Sequence, residues 1–162
     1  MGGRYVGDRM VYGRSKIEGL RQDAKERFLR AEPRLVQLEF DVYIVETVRS
    51  LLVQLAYFAQ GRTSTEEVNQ IRSAAGLAKI SDPAPIVTYV DGILKRSKHQ
   101  EGLALDVVPY EPTTGRILWN ASEGMWKRLG EIARESGFAW GGDWKTHPAA
   151  ALGWDCPHWE VP

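Results

Sequence analysis

The apolar residues of this 162-residue chain switch several times between the spacing of a helix and the spacing of a strand. Spacings of three and four residues predict helices over 15–31, 48–59, 65–75 and 119–136. β-Branched and aromatic runs predict strands at 40–46, 86–89 and 103–108, with a last strand near 157–161. Because these segments alternate without a repeat or a linker, the sequence predicts one α+β domain over residues 1–162.

Single residues set most of the predicted boundaries. Ser15 is a candidate N-cap for the first helix, and Pro33 is expected to end or kink it. Gly61 and Gly137 are expected to stop the second and fourth helices, and Pro109 to close the strand at 103–108. Irregular structure is predicted for residues 1–13, 81–85, 112–115 and most of 138–162.

The charge balance and the cysteine count exclude several classes of function. Lys plus Arg and Asp plus Glu are both 21, so the chain lacks the basic excess of a phosphate-neutralising nucleic-acid binder. The first 34 residues hold nine Lys or Arg against five Asp or Glu, which we interpret mainly as a solvated helix face. The one cysteine excludes an intramolecular disulfide and a four-cysteine zinc site.

Neither a membrane span nor a secretory signal is evident in the sequence. No apolar run approaches the roughly 20 residues that cross a bilayer, and the N-terminal stretch lacks an apolar signal region. We therefore expect a protein made in the cytoplasm without a classical signal peptide.

Two short segments gather the residue types that bind metals. The first contains Ser97, His99, Gly102 and Asp106, with Asp106 in the middle of a predicted apolar strand. An aspartate in such a strand is costly unless it is paired with a cation or bound to a metal. A salt bridge to one of the many Arg or Lys residues is the simpler explanation, and it stays open here.

The second segment contains Asp155 and His158, separated by Pro157, which keeps the chain extended. A catalytic zinc ion takes three protein ligands and leaves a position for water. His99, Asp106 and His158 would supply that set, and Asp155 would remain as a general base. Each histidine taken alone is more often a packing or surface residue than a ligand.

The remaining reactive residues are interpreted more simply. His147 is expected to be an exposed loop residue, and Cys156 a small buried apolar one. Trp140, Trp144, Trp154 and Trp159 lie in the last 23 residues, where they predict core packing or an apolar wall around a ligand cleft. The sequence contains no HExxH helix, GxSxG elbow, Walker A loop or GxGxxG loop. His158-Trp-Glu160 imitates the HxE of zinc deaminases, but the PCxxC partner is missing.

The pattern Ser97-x-His99-x-x-Gly102-x-Ala104-x-Asp106, followed by Asp155-x-x-His158, resembles a known family of zinc peptidases. This is the D-Ala-D-Ala carboxypeptidase / L-alanyl-D-glutamate endopeptidase family, a branch of the hedgehog-like LAS metallopeptidases. Three upstream or intervening segments are also similar to the family: Glu46 to Ser50, Gln54 with the QGRT run at 60–63, and GFAWGGDW at 137–144. The resemblance covers residues 17–160, although the segment 63–96 is longer and more charged than the family pattern.

The resemblance implies a small antiparallel sheet flanked by helices, like the hedgehog and D-Ala-D-Ala peptidase fold. It implies one Zn²⁺ held by His99, Asp106 and His158, with Asp155 as the catalytic base. It places Arg49, Ser97 and Trp140 around the substrate, with Arg49 close to the scissile carbonyl or a substrate carboxylate.

The function that the resemblance implies is hydrolysis of a peptidoglycan stem peptide, with the L-Ala–D-Glu bond favoured. The branch it resembles is that of phage endolysins, so we expect a monomer that acts on the wall after release or holin-type export. A D-Ala-D-Ala carboxypeptidase or dipeptidase is the first alternative. A non-catalytic zinc-binding module of the same fold is the second, although a purely structural site would need neither Asp155 nor Arg49.

Overall fold

The computed structural model describes residues 9–81 and 85–162 of the chain. The α-helices are α1 (Gln22–Leu35), α2 (Leu51–Ala59), α3 (Thr65–Ala74) and α4 (Glu123–Glu135), and 3-10 turns cover Arg14–Gly19 and Gly141–Asp143. The strands are β1 (Val11–Tyr12), β2 (Asp41–Glu46), β3 (Ala104–Glu111), β4 (Arg116–Ile117), β5 (Ala139–Trp140) and β6 (His158–Glu160). The predicted mixture of helices and strands is confirmed.

Contacts divide the chain into two units. The first contains Met1–Thr47 and Leu103–Pro162, and the second contains Val48–Gly102. The interpretation of residues 1–162 as one catalytic domain stays a prediction.

All the described strands belong to the first unit and form one sheet in the order β1-β2-β3-β6-β5, with β4 also paired to β3. The pairs β2–β3, β3–β4, β3–β6 and β5–β6 are antiparallel, whereas β1 runs parallel to β2. Strand β3 therefore lies between β2 and β6, and its middle residues have a neighbouring strand on each side.

Helices α1 and α4 pack together over a core shared with the sheet. Ala24, Phe28, Ala31 and Leu35 recur on one face of α1 at the predicted spacing, and all four are buried. The fully buried side chains of Leu105 and Trp159 bring β3 and β6 into the same core. These two strands are thus fixed by packing as well as by backbone hydrogen bonds.

The first predicted helix is corrected at both ends. Residues 14–19 form a 3-10 turn, and α1 begins only after Arg21, whose extended backbone separates the two. Pro33 lies inside α1 instead of ending it. Pro33 is close to the C-terminal end, and the helix continues past it, because the backbone N–H of Val36 still donates to the Glu32 carbonyl at 3.2 Å.

The strand predicted at 103–108 continues through Pro109 to Glu111. Pro109 pairs with Val42 of β2, and its carbonyl accepts from the backbone N–H of Leu118 at 2.9 Å. Because the N–H and C=O of one strand residue point to the same side, the missing N–H faces away from β2. The β2–β3 ladder therefore tolerates the proline.

The second unit contains α2 and α3, which contact each other. Ser50 caps α2 with its side chain, and Ser64 and Glu67 form a capping box at the start of α3. The predicted strand at 86–89 is wrong, because these residues are largely exposed and have no strand partner among the described residues. Instead, Thr88 of this segment accepts hydrogen bonds from the side chains of Gln54 and Arg62.

Most of the remaining predictions differ from the structure only in extent, whereas residues 82–84 of the predicted loop at 81–85 lie outside the described residues. Helix α4 begins after its N-cap Ser122, which leaves Trp119 outside the helix, and Gly137 follows its end with a φ of +92°. The turn at 112–115 is confirmed and joins β3 to β4. Of the predicted N-terminal arm, Val11–Tyr12 is a strand, and residues 1–8 lie outside the described residues. Within the described part of the chain, no helix is both long and apolar enough to cross a bilayer.

Candidate metal centre

The sheet brings Asp106 and His158 together. Asp106 of β3 stands directly opposite His158 of β6 in an antiparallel pair, so their side chains leave the same face of the sheet. On the other side of β3, Glu46 of β2 is also the partner of Asp106, next to an irregularity in the register. The central position of β3 thus concentrates carboxylates around one imidazole.

Each ring nitrogen of His158 faces a carboxylate. Its Nδ1 lies 3.3 Å from Asp106 Oδ1, and its Nε2 lies 2.8 Å from Glu160 Oε2. The ring of Trp144 packs on the imidazole with a centroid distance of 5.2 Å. His158 is therefore buried and held on three sides by residues of its own unit.

A tight turn places Asp155 next to His158. The backbone N–H of His158 donates to the Asp155 carbonyl at 3.1 Å, and the backbone N–H of Val107 donates to the Pro157 carbonyl at 2.9 Å. The first bond closes a four-residue turn, and the second joins that turn to β3. The D-x-x-H spacing in the sequence thus corresponds to a turn that leads directly into β6.

Residues 140–144 pack against this turn and hold it in place. A Cβ on Gly141 would lie 2.1 Å from the Asp155 carbonyl oxygen, so only glycine allows this approach. The indole N–H of Trp140 donates to the Cys156 carbonyl at 2.7 Å. Trp140 is only 3% exposed and lies in the core, where it holds the turn, and its expected contact with a substrate stays a prediction.

In the second unit, a turn of residues 97–102 presents His99, which is buried. The backbone N–H of Gly102 donates to the His99 carbonyl at 3.2 Å, and Gly102 has a φ of +70°. Ser97 and Gln100 exchange two hydrogen bonds across the turn, because each side chain accepts from the backbone N–H of the other residue. Gly102 and this exchange fix the backbone around His99.

Arg49 is fixed in the same unit. Its backbone N–H donates to the His99 carbonyl at 3.1 Å, and its Nη1 donates to Gln54 Oε1 at 2.8 Å. Its guanidinium lies 4.8 Å from the centre of the Tyr57 ring, a cation–π contact. Gln54 is fully buried, and its Nε2 donates to the Val90 carbonyl at 2.6 Å. The guanidinium of Arg49 is therefore held by α2.

His99, Asp106 and His158 each offer one ligand atom, and these three atoms lie within 4.8 Å of one another. The three residues that the sequence pattern singled out are therefore neighbours in the structure. Two imidazoles and one carboxylate form a donor set suited to a divalent transition-metal ion.

The protonation of His158 depends on opposing effects. Burial by itself would lower the pKa of the imidazole, but the hydrogen bonds to Asp106 and Glu160 and the charges of Asp106 and Asp155 raise the pKa to about 9. The metal-free protein thus carries an imidazolium at neutral pH. Since a metal ligand must be a neutral imidazole, metal binding has to release this proton.

We therefore expect the metal-free protein to lose stability as the pH rises. The pKa of His158 is above its ordinary value of 6.5, so its contribution is complete below pH 6.5 and is lost as the pH passes through about 9. Between pH 6.5 and 9.5 the Tm of chelator-treated protein should fall by about 5 °C. Differential scanning calorimetry of the parent and His158→Gln measures this change. An equal slope in the variant would contradict the assignment.

The other sequence-predicted residues are placed as follows. His147 is exposed in a loop, as expected, and its Nδ1 accepts from the backbone N–H of Ala149. Cys156 is half-buried, and burial followed by the charge of Asp155 raises the pKa of its thiol. Ser97 caps its own turn and retains a hydroxyl proton that it can donate.

Sequence reasoning missed Glu160 and Trp144 as neighbours of His158. Glu160 was considered only as part of a deaminase-like HxE pattern. The strand period could have identified Glu160 as a neighbour of His158, because residues two apart in the predicted strand at 157–161 lie on the same face. For Trp144 no sequence signal distinguished it from the other tryptophans.

Comparisons with known proteins match this chain to peptidases. Residues 92–161 match the family model described as D-alanyl-D-alanine carboxypeptidase, a range that contains all three candidate ligands. The peptidoglycan L-alanyl-D-glutamate endopeptidase CwlK of Bacillus subtilis (strain 168) is 32% identical over 128 residues, which are 75% of this chain and 60% of that protein. The chain thus spans less than two thirds of the length of that curated relative.

A solved structure shares the fold. The L-Ala D-Glu endopeptidase ChiX of Serratia marcescens aligns with a TM-score of 0.52 and 20% identity, covering 94% of this chain and 90% of that one. At this identity the likeness establishes the fold.

Proposed function

We propose that the chain is a member of the D-alanyl-D-alanine carboxypeptidase / L-alanyl-D-glutamate endopeptidase family and that it is a zinc-dependent peptidoglycan peptidase. Its substrate is the stem peptide, and the bond it cleaves is L-Ala–D-Glu. The observation that carries this proposal is the group of His99, Asp106 and His158, whose ligand atoms lie within 4.8 Å of one another.

The geometry of this group supports zinc as the ion. Zinc binds nitrogen and oxygen ligands at about 2.0–2.2 Å, so two ligands of a tetrahedral ion are about 3.4 Å apart. The distance of 3.3 Å between His158 Nδ1 and Asp106 Oδ1 fits that value. Three protein ligands leave a fourth position for water or substrate, as in catalytic zinc sites.

Bound zinc supplies Lewis acidity, which polarises a peptide carbonyl and makes water more acidic. Asp155 is the residue that accepts the proton of the attacking water, because the 155–158 turn places Asp155 close enough for its charge to act on the His158 imidazole. Asp155 then returns the proton to the nitrogen of the leaving amine. The water oxygen bonds to the carbonyl carbon, the C–N bond breaks, and one half-buried carboxylate has then both taken and returned the proton.

Arg49 and Ser97 bind the substrate in this proposal. The guanidinium of Arg49 stabilises the carbonyl oxygen that gains charge or pairs with a substrate carboxylate. The hydroxyl of Ser97 donates to the peptide. Both residues are fixed by contacts within the second unit, Arg49 by Gln54 and Tyr57 and Ser97 by Gln100.

Replacement of Gln54 should therefore weaken substrate use without removing the metal. Gln54→Leu removes the acceptor for Arg49 Nη1, and a hydrogen bond to a charged group contributes about 1.5–3 kcal/mol. We expect kcat/KM to fall by about 10-fold or more while the zinc content stays at the parental level. Steady-state kinetics and elemental analysis measure both quantities.

Gln70→Leu is the matched control, because Gln70 is exposed on α3. Parental kcat/KM in Gln54→Leu, with Arg49→Ala inactive, would show that Arg49 acts without this support.

The D-Ala-D-Ala carboxypeptidase reaction is the second candidate, and the description of the family model that matches residues 92–161 favours it. Both reactions need the same metal and the same base, so they differ only in which peptide bond of the substrate is cleaved. A non-catalytic metal-binding module is the third candidate.

Digestion of purified peptidoglycan, with mass spectrometry of the products, separates these candidates. A new amino terminus on D-Glu supports the endopeptidase, and released D-Ala supports the carboxypeptidase. Unchanged muropeptides with a metal-loaded protein support the binding module. The same digestion with a chelator should give no products, and undiminished cleavage would contradict metal dependence.

In the cell, we propose that the protein acts on the cell wall as a lysin of phage or bacterial origin. In this proposal it works as a monomer. Size-exclusion chromatography with light scattering tests the monomer, and an obligate dimer would contradict it.

A further inference from the structure

Glu160 is the carboxylate on the far side of His158 from Asp106. His158 and Glu160 are two residues apart in β6, so the pleat directs both side chains to one face of the sheet. Glu160 Oε2 lies 2.8 Å from His158 Nε2, and the two side chains are only 22% and 10% exposed. This contact is thus a largely buried hydrogen bond that water can hardly replace.

The contact determines which ring nitrogen carries the proton. A carboxylate only accepts, so Glu160 requires a hydrogen on Nε2. In a neutral imidazole the other nitrogen, Nδ1, then has its lone pair available. Nδ1 is the atom that lies 3.3 Å from Asp106 Oδ1, on the side of the proposed metal.

The surroundings of Glu160 favour this arrangement. Ala104 of β3 and Ala139 of β5 stand opposite Glu160 on its two neighbouring strands, and their small side chains leave the shared face to the carboxylate. The ring of Trp144 packs on the imidazole and limits its rotation. The orientation of His158 is thus determined by residues on both sides of the ring.

We propose that Glu160 is a positioning residue that selects the tautomer of His158 and directs Nδ1 toward the metal. This inference rests on the proposed function, because it needs a metal at His99, Asp106 and His158. Partners of this kind fix the orientation of a histidine ligand and make it more basic, and their loss typically weakens metal binding 10–100-fold.

The first test is the zinc affinity of Glu160→Ala and Glu160→Gln, measured by competition with a chromophoric chelator at constant pH. We expect Glu160→Ala to bind zinc 10–100-fold more weakly than the parent. Glu160→Gln, whose side-chain carbonyl still accepts from Nε2–H, should lose less. Glu131→Gln, an exposed change on α4, is the matched control and should bind zinc as the parent does.

The visible absorption spectrum of the cobalt-substituted protein is a second measurement. It would not change if Glu160 only stabilised the fold. The expected result is a changed cobalt spectrum in Glu160→Ala and a parental spectrum in Glu131→Gln. Parental affinity together with a parental cobalt spectrum in Glu160→Ala would overturn the inference.

The second test needs no variant, so it holds even if Glu160→Ala fails to fold. Long-range ¹H–¹⁵N NMR of the zinc-loaded parent should show His158 with a proton on Nε2 and the metal on Nδ1. The reverse tautomer would overturn the inference while leaving zinc binding intact. If the parent takes up no stoichiometric zinc, the proposed function fails as well, so the two failures are distinguishable.

Discussion

Replacing Asp155 with alanine should leave one zinc ion per chain and remove most of the peptidoglycan hydrolysis. The three proposed ligands remain in Asp155→Ala, whereas the carboxylate that accepts the proton of the attacking water is gone. General acid–base catalysis contributes about 10²–10⁴-fold, so we expect kcat to fall by at least about 100-fold. Elemental analysis and muropeptide release measure the two quantities on the same preparation.

The matched control is Asp143→Ala, which removes an exposed carboxylate from the 3-10 turn behind Asp155. This variant should hydrolyse peptidoglycan at close to the parental rate. If Asp155→Ala were as active as the parent, Asp155 would not be the base. If it lost its zinc, the role of Asp155 would be structural.

Replacing a proposed ligand should have a different effect, because metal and activity then disappear together. His158→Ala and His99→Ala each leave two of the three ligands, which are too few to hold a catalytic zinc ion against a chelator. We expect the metal content to fall to a small fraction of one ion per chain and the hydrolysis to fall below detection.

His147→Ala is the control for these ligand variants, because His147 is the remaining histidine and is exposed. It should keep both the zinc and the activity. Full metal occupancy in His99→Ala or in His158→Ala would remove that residue from the ligand set. Circular dichroism of the metal-free variants separates loss of the metal from loss of the fold.

Asp106 and His158 stand in local features that the sequence displays, and the resemblance to a zinc-peptidase family joins them to His99. Asp106 was conspicuous as a carboxylate in an apolar strand, and the structure places it on β3 opposite His158. Asp155 and His158 were joined by a spacing that proved to be a turn closed by one backbone hydrogen bond. Such features depend on a few neighbouring residues, which a sequence displays directly.

The errors in the predicted fold have causes that only tertiary structure reveals. Residues 86–89 have the composition of a strand, but they have no strand partner among the described residues. Pro109 was expected to close a strand, yet its missing N–H faces away from β2 and the ladder continues. In both cases the outcome depends on whether a strand from a distant part of the sequence pairs with the segment.

The same limit applies to the residues around the site. Trp140 and Trp144 stand in one WGGDW run, and their composition gives no reason to separate them. Packing buries Trp140 against Gly130 and Gly142 in the core, whereas Trp144 reaches the ring of His158. Glu160 shares a face of β6 with His158, and only the pairing of β6 with β3 brings that face beside Asp106.

The most direct test of this account is a map of anomalous scattering at the zinc edge from crystals of the protein grown with zinc. The account predicts one strong peak within about 2.3 Å of a His99 ring nitrogen, an Asp106 carboxylate oxygen and His158 Nδ1. A zinc ion bound elsewhere, with these three side chains not coordinating it, would contradict the account.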